Sequence, residues 1–409
     1  MVGRLRIAAC MVLALLLSAA APAATPSATD YEVEIVAGGF KHPWSLAFLP
    51  GGAMLLSERP GRLWLLRLDP AGRVAARTPV SGVPPVFEYN QAGLFDVVPH
   101  PRFAENRLVY LSYVRGHALD STLFVARARL EGAILHGLEV IYEVRPHRIA
   151  RNQYGGRMAF LPDGTMLITL GDAFDRREQA QELDSVMGKI IRLRDDGTVP
   201  PDNPFARVPG ARPEIWSYGH RHPQGIHYDT VGGQVYATEN GPRGGDELNR
   251  IDRGVNYGWP LASFGRDYSG GGISPFTRYP GTADALAVWT PSIAPSGLTV
   301  YRGAAFPEWD GDIFVAALAA RRLVHVRMKN GRVAGQRRML TDLDSRMRDV
   351  RVGAEGFLYV LDDSNGRILR IRPAGGPPAA TAPRTPGLPA RRPRTGRRSP
   401  PGCGRRPPR

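Results

Sequence analysis

The sequence predicts an all-β chain folded as a six-bladed β-propeller, and three observations carry that expectation. An apolar pair, a turn rich in Pro, Asp or Gly, and an alternating aliphatic and aromatic strand recur in that order six times between Tyr31 and Arg372. The units begin at Trp44, Gly93, Gly156, Gln224, Ser296 and Arg348, so successive starts lie between 49 and 72 residues apart. Helical periodicity is nearly absent; only Glu178–Met187 reads as a turn or two of helix, inside a long loop. Repeats of roughly 40–50 residues or more, each holding about four short strands, mark a propeller. A β-sandwich or a parallel β-helix fits the long, unequal spacing less well.

The units explain themselves in turn. WSLAFLPGGAMLLSE and GRMAFLPDGTMLITLGD each place a two-residue-period strand on either side of a Pro/Gly turn. GLFDVVPHPRFAENRLVYLSY and SGLTVYRGAAFPEWDGDIFVAAL do the same across longer turns. QGIHYDTVGGQVYATEN and RDVRVGAEGFLYVLDD complete the set. Several units are followed by another strand, as in Gly61–Leu66, Gly188–Leu193 and Gly366–Ile371.

Both ends of the chain differ from this body. Arg4 and Arg6 precede an apolar run from Ile7 to Leu17 and an Ala-rich stretch, the pattern of a secretory signal over residues 1–24. That run is too short to span a bilayer comfortably, and no later segment reaches spanning length. The expectation is an exported protein, periplasmic or secreted, without a transmembrane segment. Cys10 and Cys403 are the two cysteines, so the folded body has none and relies on core burial. Residues 373–409 hold nine Arg, no acid and many Pro, a composition that reads as disorder. Of the formal charge of +15, nine units belong to this tail and two to Arg4 and Arg6, which leaves four on residues 30–372. The high overall charge is therefore no argument for nucleic-acid binding. Nothing demands an oligomer, and the expected state is a monomer or weak dimer.

Chemistry concentrates between Pro213 and Pro260. Gly219-His220-Arg221-His222-Pro223-Gln224-Gly225 leads into a strand at Gln234–Thr238, followed by Glu239-Asn240-Gly241-Pro242 and Asp246-Glu247. These clusters fall on loops at strand ends, where binding residues are held. A Gly-Pro dipeptide among acids turns backbone carbonyls towards a hard cation, with carboxylates completing an oxygen shell. Polar residues at matched positions of other units converge on the same axis: Gln91, Gln153, Arg157, Arg221, Gln224, Arg321, Arg346 and Arg348. Several Arg on one axis repel each other unless an anion lies among them, and their planar forks match carboxylates. The expected ligand is a polycarboxylate.

The segments HPWSLAFLP, QAGLFDVVPHPRF, GHRHPQG, ENGPRGGDELN, NYGWP, TPSIAPSGL and RMRDVRVG stand in an order that resembles the glucose/sorbosone dehydrogenases, the soluble aldose sugar dehydrogenases that use pyrroloquinoline quinone (PQQ). The resemblance covers nearly all of Tyr31–Arg372 and implies a six-bladed propeller. It implies PQQ held by Arg221, Gln224, Arg346 and Arg348, with Arg321 where the family often has a basic residue. It implies a calcium ion on the carbonyls of Gly241 and Pro242, and a second, structural calcium at Glu247 and Tyr257. Gln91 and Asn152 match substrate-side positions. The reaction implied is oxidation of an aldose at the anomeric carbon by hydride transfer, with electrons passed to an external acceptor.

One departure bears on the mechanism. The family places a His just before a Gly-Gly-Arg segment as the base; this chain reads Asn152-Gln153-Tyr154-Gly155-Gly156-Arg157. Gln orients a substrate but accepts no proton near neutral pH. His222, where members commonly have Asn, is the candidate substitute, with His147 as another, and His220 reads as structural. Two alternatives stand beside the dehydrogenase. One is a propeller that binds PQQ or a sugar without oxidising it; the other is a calcium-dependent sugar lactonase, which would need several central carboxylates and few Arg.

Overall fold

The computed structural model describes residues 30–149 and 152–375. The expected signal over residues 1–24 lies outside the described residues, as does the basic tail from residue 376 on.

Six four-stranded antiparallel sheets make a six-bladed propeller. The innermost strands are Pro43–Phe48, Leu94–Pro99, Gly155–Phe160, Pro223–Asp229, Pro295–Val300 and Met347–Val352. They fall within a residue or so of the six repeat starts. The ring is closed by a feature the repeat pattern did not reveal. Tyr31–Ala37 pairs with Arg367–Pro373, so the N-terminal strand completes the sixth blade. The proposed helical stretch forms only a short 3-10 turn, Arg177–Ala180. No helix of the described residues is long and apolar enough to cross a membrane.

Each innermost strand opens with a register shift against its neighbour, between Pro43 and Ser45, Leu94 and Val97, Gly155 and Met158, and at the matching places of the other three. A bulge turns the first residues of a strand away from the ladder, and here it aims them at the axis. Hydroxyls fill the gaps. Ser57 and Thr238, on second strands, donate to the carbonyls of Phe95 and Ser296 in the next blade, both at 2.6 Å. Ser112 does the same to Gly156. Between the blades the core is apolar, in clusters such as Trp44, Phe95, Tyr154 and Met158.

At the centre a charged lock replaces apolar packing. The buried Arg157 places Nη1 3.2 Å from Asp349 and 3.6 Å from Asp96, both fully buried. Its Nε donates to the Gln224 carbonyl at 2.9 Å, its Nη2 to that of Arg348 at 3.2 Å, and its plane lies 4.0 Å from the Trp44 ring centroid. One side chain thus touches four other blades. Asp96 also accepts the Met158 N–H, and Asp349 accepts the Leu46 N–H across the closure of the ring. A Cβ at Gly297 would stand 1.9 Å from Asp349 Oδ1, so only glycine lets the fifth blade approach. Below the lock the axis opens into a cavity of about 360 Å3 lined by all six inner strands.

Replacing Arg157 by Met leaves two buried carboxylates with Arg351 as their remaining cation and removes the group that joins them to three further blades. Breaking such a buried network costs about 3–5 kcal/mol. Denaturant unfolding of Arg157→Met is expected to show a loss of that order, and wild-type stability would contradict the assignment.

Candidate functional site

Above the lock, the loops that begin the inner strands and end the second strands form a funnel. Its walls at the third and fourth blades come from two long segments, 171–188 and 252–286. The second climbs beside the third blade, where Tyr257 and Trp259 donate their N–H groups to the carbonyls of Tyr218 and Gly219.

The cationic side is built on GHRHPQG and RMRDVRVG. Arg221 is buried, and its Nη1 donates at 2.8 Å to the carbonyls of both Asn240 and Gly241. Its guanidinium lies over Trp259 at 5.3 Å and beside Tyr268 at 6.0 Å. Arg348 reaches Gln224 Oε1 at 3.3 Å and Ser296 Oγ at 3.5 Å. Burial pulls its guanidinium down to about 10. Its counter-ion is shared: Asp363 lies 4.0 Å from Arg348, 3.5 Å from Arg346 and 3.3 Å from His42. Arg148, absent from the sequence reading, joins this set. It is buried, held at about 10 by desolvation, packs 4.2 Å from the Tyr154 ring centroid, and leaves its Nε without a partner. His222 sits among these cations. Burial first, then Arg221, Arg148 and Arg348, push its imidazole well below its ordinary value, so it is neutral. Its Nε2 lies 2.9 Å from the Gln224 amide nitrogen, which donates to it.

On the adjoining third blade, Gln153 is buried with a left-handed backbone, φ 65°. Its N–H donates to Gln91 Oε1 at 2.8 Å and its carbonyl accepts from Arg148 at 3.3 Å. Its own Oε1 is buried without a partner. An orphaned acceptor of this kind marks where a ligand hydroxyl would go. Asn152 is half-buried beside it. A Cβ at Gly171 would lie 2.0 Å from the Gln153 carbonyl, which brings Asp172 close behind. Asp172 accepts the Trp259 indole N–H at 2.9 Å and the Phe174 N–H at 3.0 Å. Burial raises its carboxyl to about 6, and Arg221 and Arg148 limit the rise.

The acidic side is next to Arg221. Glu239 and Glu247 are cross-strand partners, bridged by Asn249 Nδ2 at 2.9 and 3.0 Å. Burial and then Glu239 push the Glu247 carboxyl up to about 8. Both carboxylates line a cavity of about 20 Å3, shared with Gly241, Tyr257 and Trp259, which is room for one water-sized body. Two carboxylates with no cation between them suit a divalent ion. Among the described residues no group of three or more His, Cys, Asp or Glu gathers, so such an ion would also need backbone carbonyls. The carbonyl of Gly241 already accepts from Arg221, and Pro242 is buried against Gly265. The Tyr257 hydroxyl is engaged with Arg250 and Asp252, and its ring stacks on His220 at 4.7 Å.

The expected axial set therefore divides. Gln91 meets Gln153, and His222 meets Gln224 and Arg348. Arg157 lies below them, spent on the axial lock, and is not available to a ligand. Arg321 stands apart, exposed at the fifth blade and paired with Asp344 at 2.8 Å. His147 has both ring nitrogens on carboxylates, Asp120 at 2.9 Å and Glu143 at 2.7 Å. His220 bonds Ser217 at 2.9 Å and Glu239 at 3.2 Å, a structural arrangement. Arg148 and Asp172 escaped the sequence reading because neither sits in a segment whose residue types mark a site.

A propeller with an arginine-rich funnel beside paired acids is of a class suited to a small anionic group on its axis. The comparisons specify it further. The family model of Glucose / Sorbosone dehydrogenase matches residues 40–370, and the chain belongs to that family. It is 39% identical to the aldose sugar dehydrogenase YliI of Escherichia coli K12, covering 83% of this chain and 92% of that protein. The crystal structure of the soluble E. coli aldose sugar dehydrogenase in its apo-form superposes with a TM-score of 0.79 at 38% identity, over 84% of this chain and all of that one. The PQQ-bound aldose sugar dehydrogenase of Streptomyces coelicolor gives 0.68 at 29% identity, over 85% and 99%.

The buried Asp172 makes stability depend on pH. With its folded value raised to about 6 from 3.8, the native state holds a proton that the unfolded chain releases between those values. The stabilisation from this group is complete below pH 3.8 and is lost as pH rises through 6. Unfolding free energies of wild type and Asp172→Asn are measured from pH 4 to 7 without cofactor. The variant, which cannot ionise there, should lack this loss, so its free energy relative to wild type rises as pH climbs through 6. Parallel profiles would refute the assignment.

Proposed function

We propose that this protein is an exported PQQ-dependent dehydrogenase that oxidises an aldose at its anomeric carbon. The observation that carries the reading is the set of Arg148, Arg221 and Arg348 around a neutral, buried His222, with one carboxylate, Asp363, shared among Arg348, Arg346 and His42. Cations desolvated this way favour a ligand bearing several carboxylates. The orphaned Gln153 Oε1 and the partnerless Arg148 Nε also suit a polar ligand. Family membership and the PQQ-bound relative from S. coelicolor support the same choice.

Arg221, Gln224, Arg346 and Arg348 would hold the cofactor carboxylates, and Arg321 would reach in from the rim after leaving Asp344. The carbonyls of Gly241 and Pro242 would hold a calcium ion once Arg221 turns from Gly241 to a ligand carboxylate. Glu247, facing Glu239 in the cavity that Tyr257 walls, would hold a second, structural one. Calcium-bound PQQ would supply a polarised quinone carbonyl as hydride acceptor. The chain's own residues do the rest. Gln91 fixes the Gln153 backbone, which leaves the Gln153 side-chain oxygen to accept a sugar hydroxyl, with Asn152 beside it. Gln153 cannot take the proton. His222 would take it at Nε2, where it now accepts from Gln224, if bound anionic charge offsets the three Arg that suppress the imidazole. An external acceptor would take the electrons.

The lactonase alternative loses its chemical basis at the axis. The central carboxylates Asp96 and Asp349 are committed to Arg157 and Arg351.

Addition of PQQ and calcium to the purified protein, followed by a panel of aldoses, is expected to bleach the oxidised cofactor's absorbance. Binding without bleaching by any sugar would favour the non-catalytic reading. His222→Asn should bind PQQ as wild type does and lose at least about a hundredfold in turnover, the ordinary contribution of a general base. Unchanged turnover would remove His222 from the mechanism, whereas Gln153→His is expected to raise it.

A further inference from the structure

A strained turn thrusts an aromatic ring out at the rim of the funnel. Ala173 and Phe174 follow the strand Met166–Leu170 with φ values of 61° and 74°. Two consecutive residues with side chains rarely adopt the left-handed region, and such strain collects at functional sites. The Asp172 carboxylate holds the turn by accepting the Phe174 N–H at 3.0 Å while it accepts the Trp259 indole. The Phe174 ring is 38% exposed and lies nearly parallel to that of Tyr268, itself 49% exposed, with an interplanar angle of 19° and centroids 6.1 Å apart. Neither ring joins an apolar core cluster.

The two rings come from different blades, and an ion pair ties the loops that carry them. Arg177, just beyond Phe174, lies 3.6 Å from Asp267, just before Tyr268. Asp267 caps its own turn through the Ser269 N–H at 2.9 Å. The Arg243 N–H donates to the Arg266 carbonyl at 3.0 Å, which anchors this part of the loop to the Gly241–Gly245 segment. Tyr268 also neighbours the guanidinium of Arg221, so the aromatic pair is one side chain away from the proposed cofactor site. A pyranose presents a face of C–H groups that packs on aromatic rings, while its hydroxyls stay in water. Exposed, pre-positioned rings beside a site for one sugar suit a second sugar.

We propose that Phe174 and Tyr268 form an aromatic platform that receives the second ring of a reducing disaccharide or longer oligosaccharide, whose terminal aldose enters the funnel. This rests on the dehydrogenase reading above. Steady-state kinetics of the PQQ- and calcium-loaded protein with glucose, maltose and cellobiose test it, using Phe174→Gly and Tyr268→Ala singly and together. Glycine suits the left-handed backbone, so Phe174→Gly removes the ring without adding strain. Phe174→Gly is expected to raise KM for at least one disaccharide about fivefold, with kcat and the glucose KM unchanged within about twofold. The double variant, which also loses the ring beside Arg221, is expected to raise the disaccharide KM about five- to tenfold more than the glucose KM. Equal losses for glucose and both disaccharides, or no loss, would overturn the platform.

Equilibrium binding of methyl maltoside and methyl cellobioside, which cannot be oxidised at C1, separates the two claims. Ring-proton transfer in saturation-transfer NMR is expected with the wild type and lost in the double variant. If that pattern holds while no sugar is oxidised, the platform stands and the dehydrogenase reading falls. If sugars are oxidised but neither glycoside contacts the rings, the platform falls alone. If the variants slow only reoxidation by a protein acceptor, the rings serve a partner and the platform is likewise wrong.

Discussion

The architecture depends on one buried guanidinium. Arg157 ties its own blade to four others through two carboxylates, two carbonyls and the face of Trp44. A ring of six sheets has no single apolar centre, because the inner strands diverge from the axis and leave a channel. Here the channel is blocked at mid-height by charge, with Arg157 and Arg351 set against Asp96 and Asp349. The same carboxylates accept backbone N–H groups of neighbouring blades, so the lock also sets how the blades meet. Buried networks like this specify geometry rather than add stability, and they tolerate no missing member.

The lock makes the funnel's floor rigid, and the bulge at the head of each inner strand then sets what stands on that floor. Gln224 links the two levels: its carbonyl accepts from Arg157 below, while its side chain bonds His222 and Arg348 above. The positive side of the funnel is therefore braced by the same groups that close the ring. Glu239 plays a comparable part on the acidic side, where it accepts the Arg221 N–H at 2.8 Å and bonds His220 and Asn249. Charge separation across the fourth blade, Arg221 on one side and Glu239 with Glu247 on the other, suits an anionic cofactor with a cation at its edge.

Much of this was legible in the sequence. The repeat starts located the inner strands to within about a residue, since the turn chemistry before each second strand is strong and local. The motifs around Gln224 and Arg348 marked residues that do meet, because matched positions of a propeller repeat converge on the axis. The closure by Tyr31–Ala37 was not legible, for it depends on pairing with a strand more than 300 residues away. Arg157 was grouped with the ligand-facing Arg because sequence gives its blade and not its height on the axis. Arg148 and Asp172 gain their character from burial alone, Asp172 rising to about 6 and Arg148 falling to about 10, and burial by distant loops has no local sequence mark. Phe174 and Tyr268 stack across two loops whose paths no periodicity describes.

The central claim is that the arginine funnel recognises the carboxylates of its cofactor, and a comparison of two ligands tests it directly. Dissociation constants of PQQ and of its trimethyl ester would be measured by fluorescence quenching with calcium present, in low and high salt. The free acid should bind at least about a hundredfold more tightly than the ester, the work of two or more charge-assisted contacts, and added salt should narrow the gap. Equal affinity for the two, or no binding of either, would contradict the account.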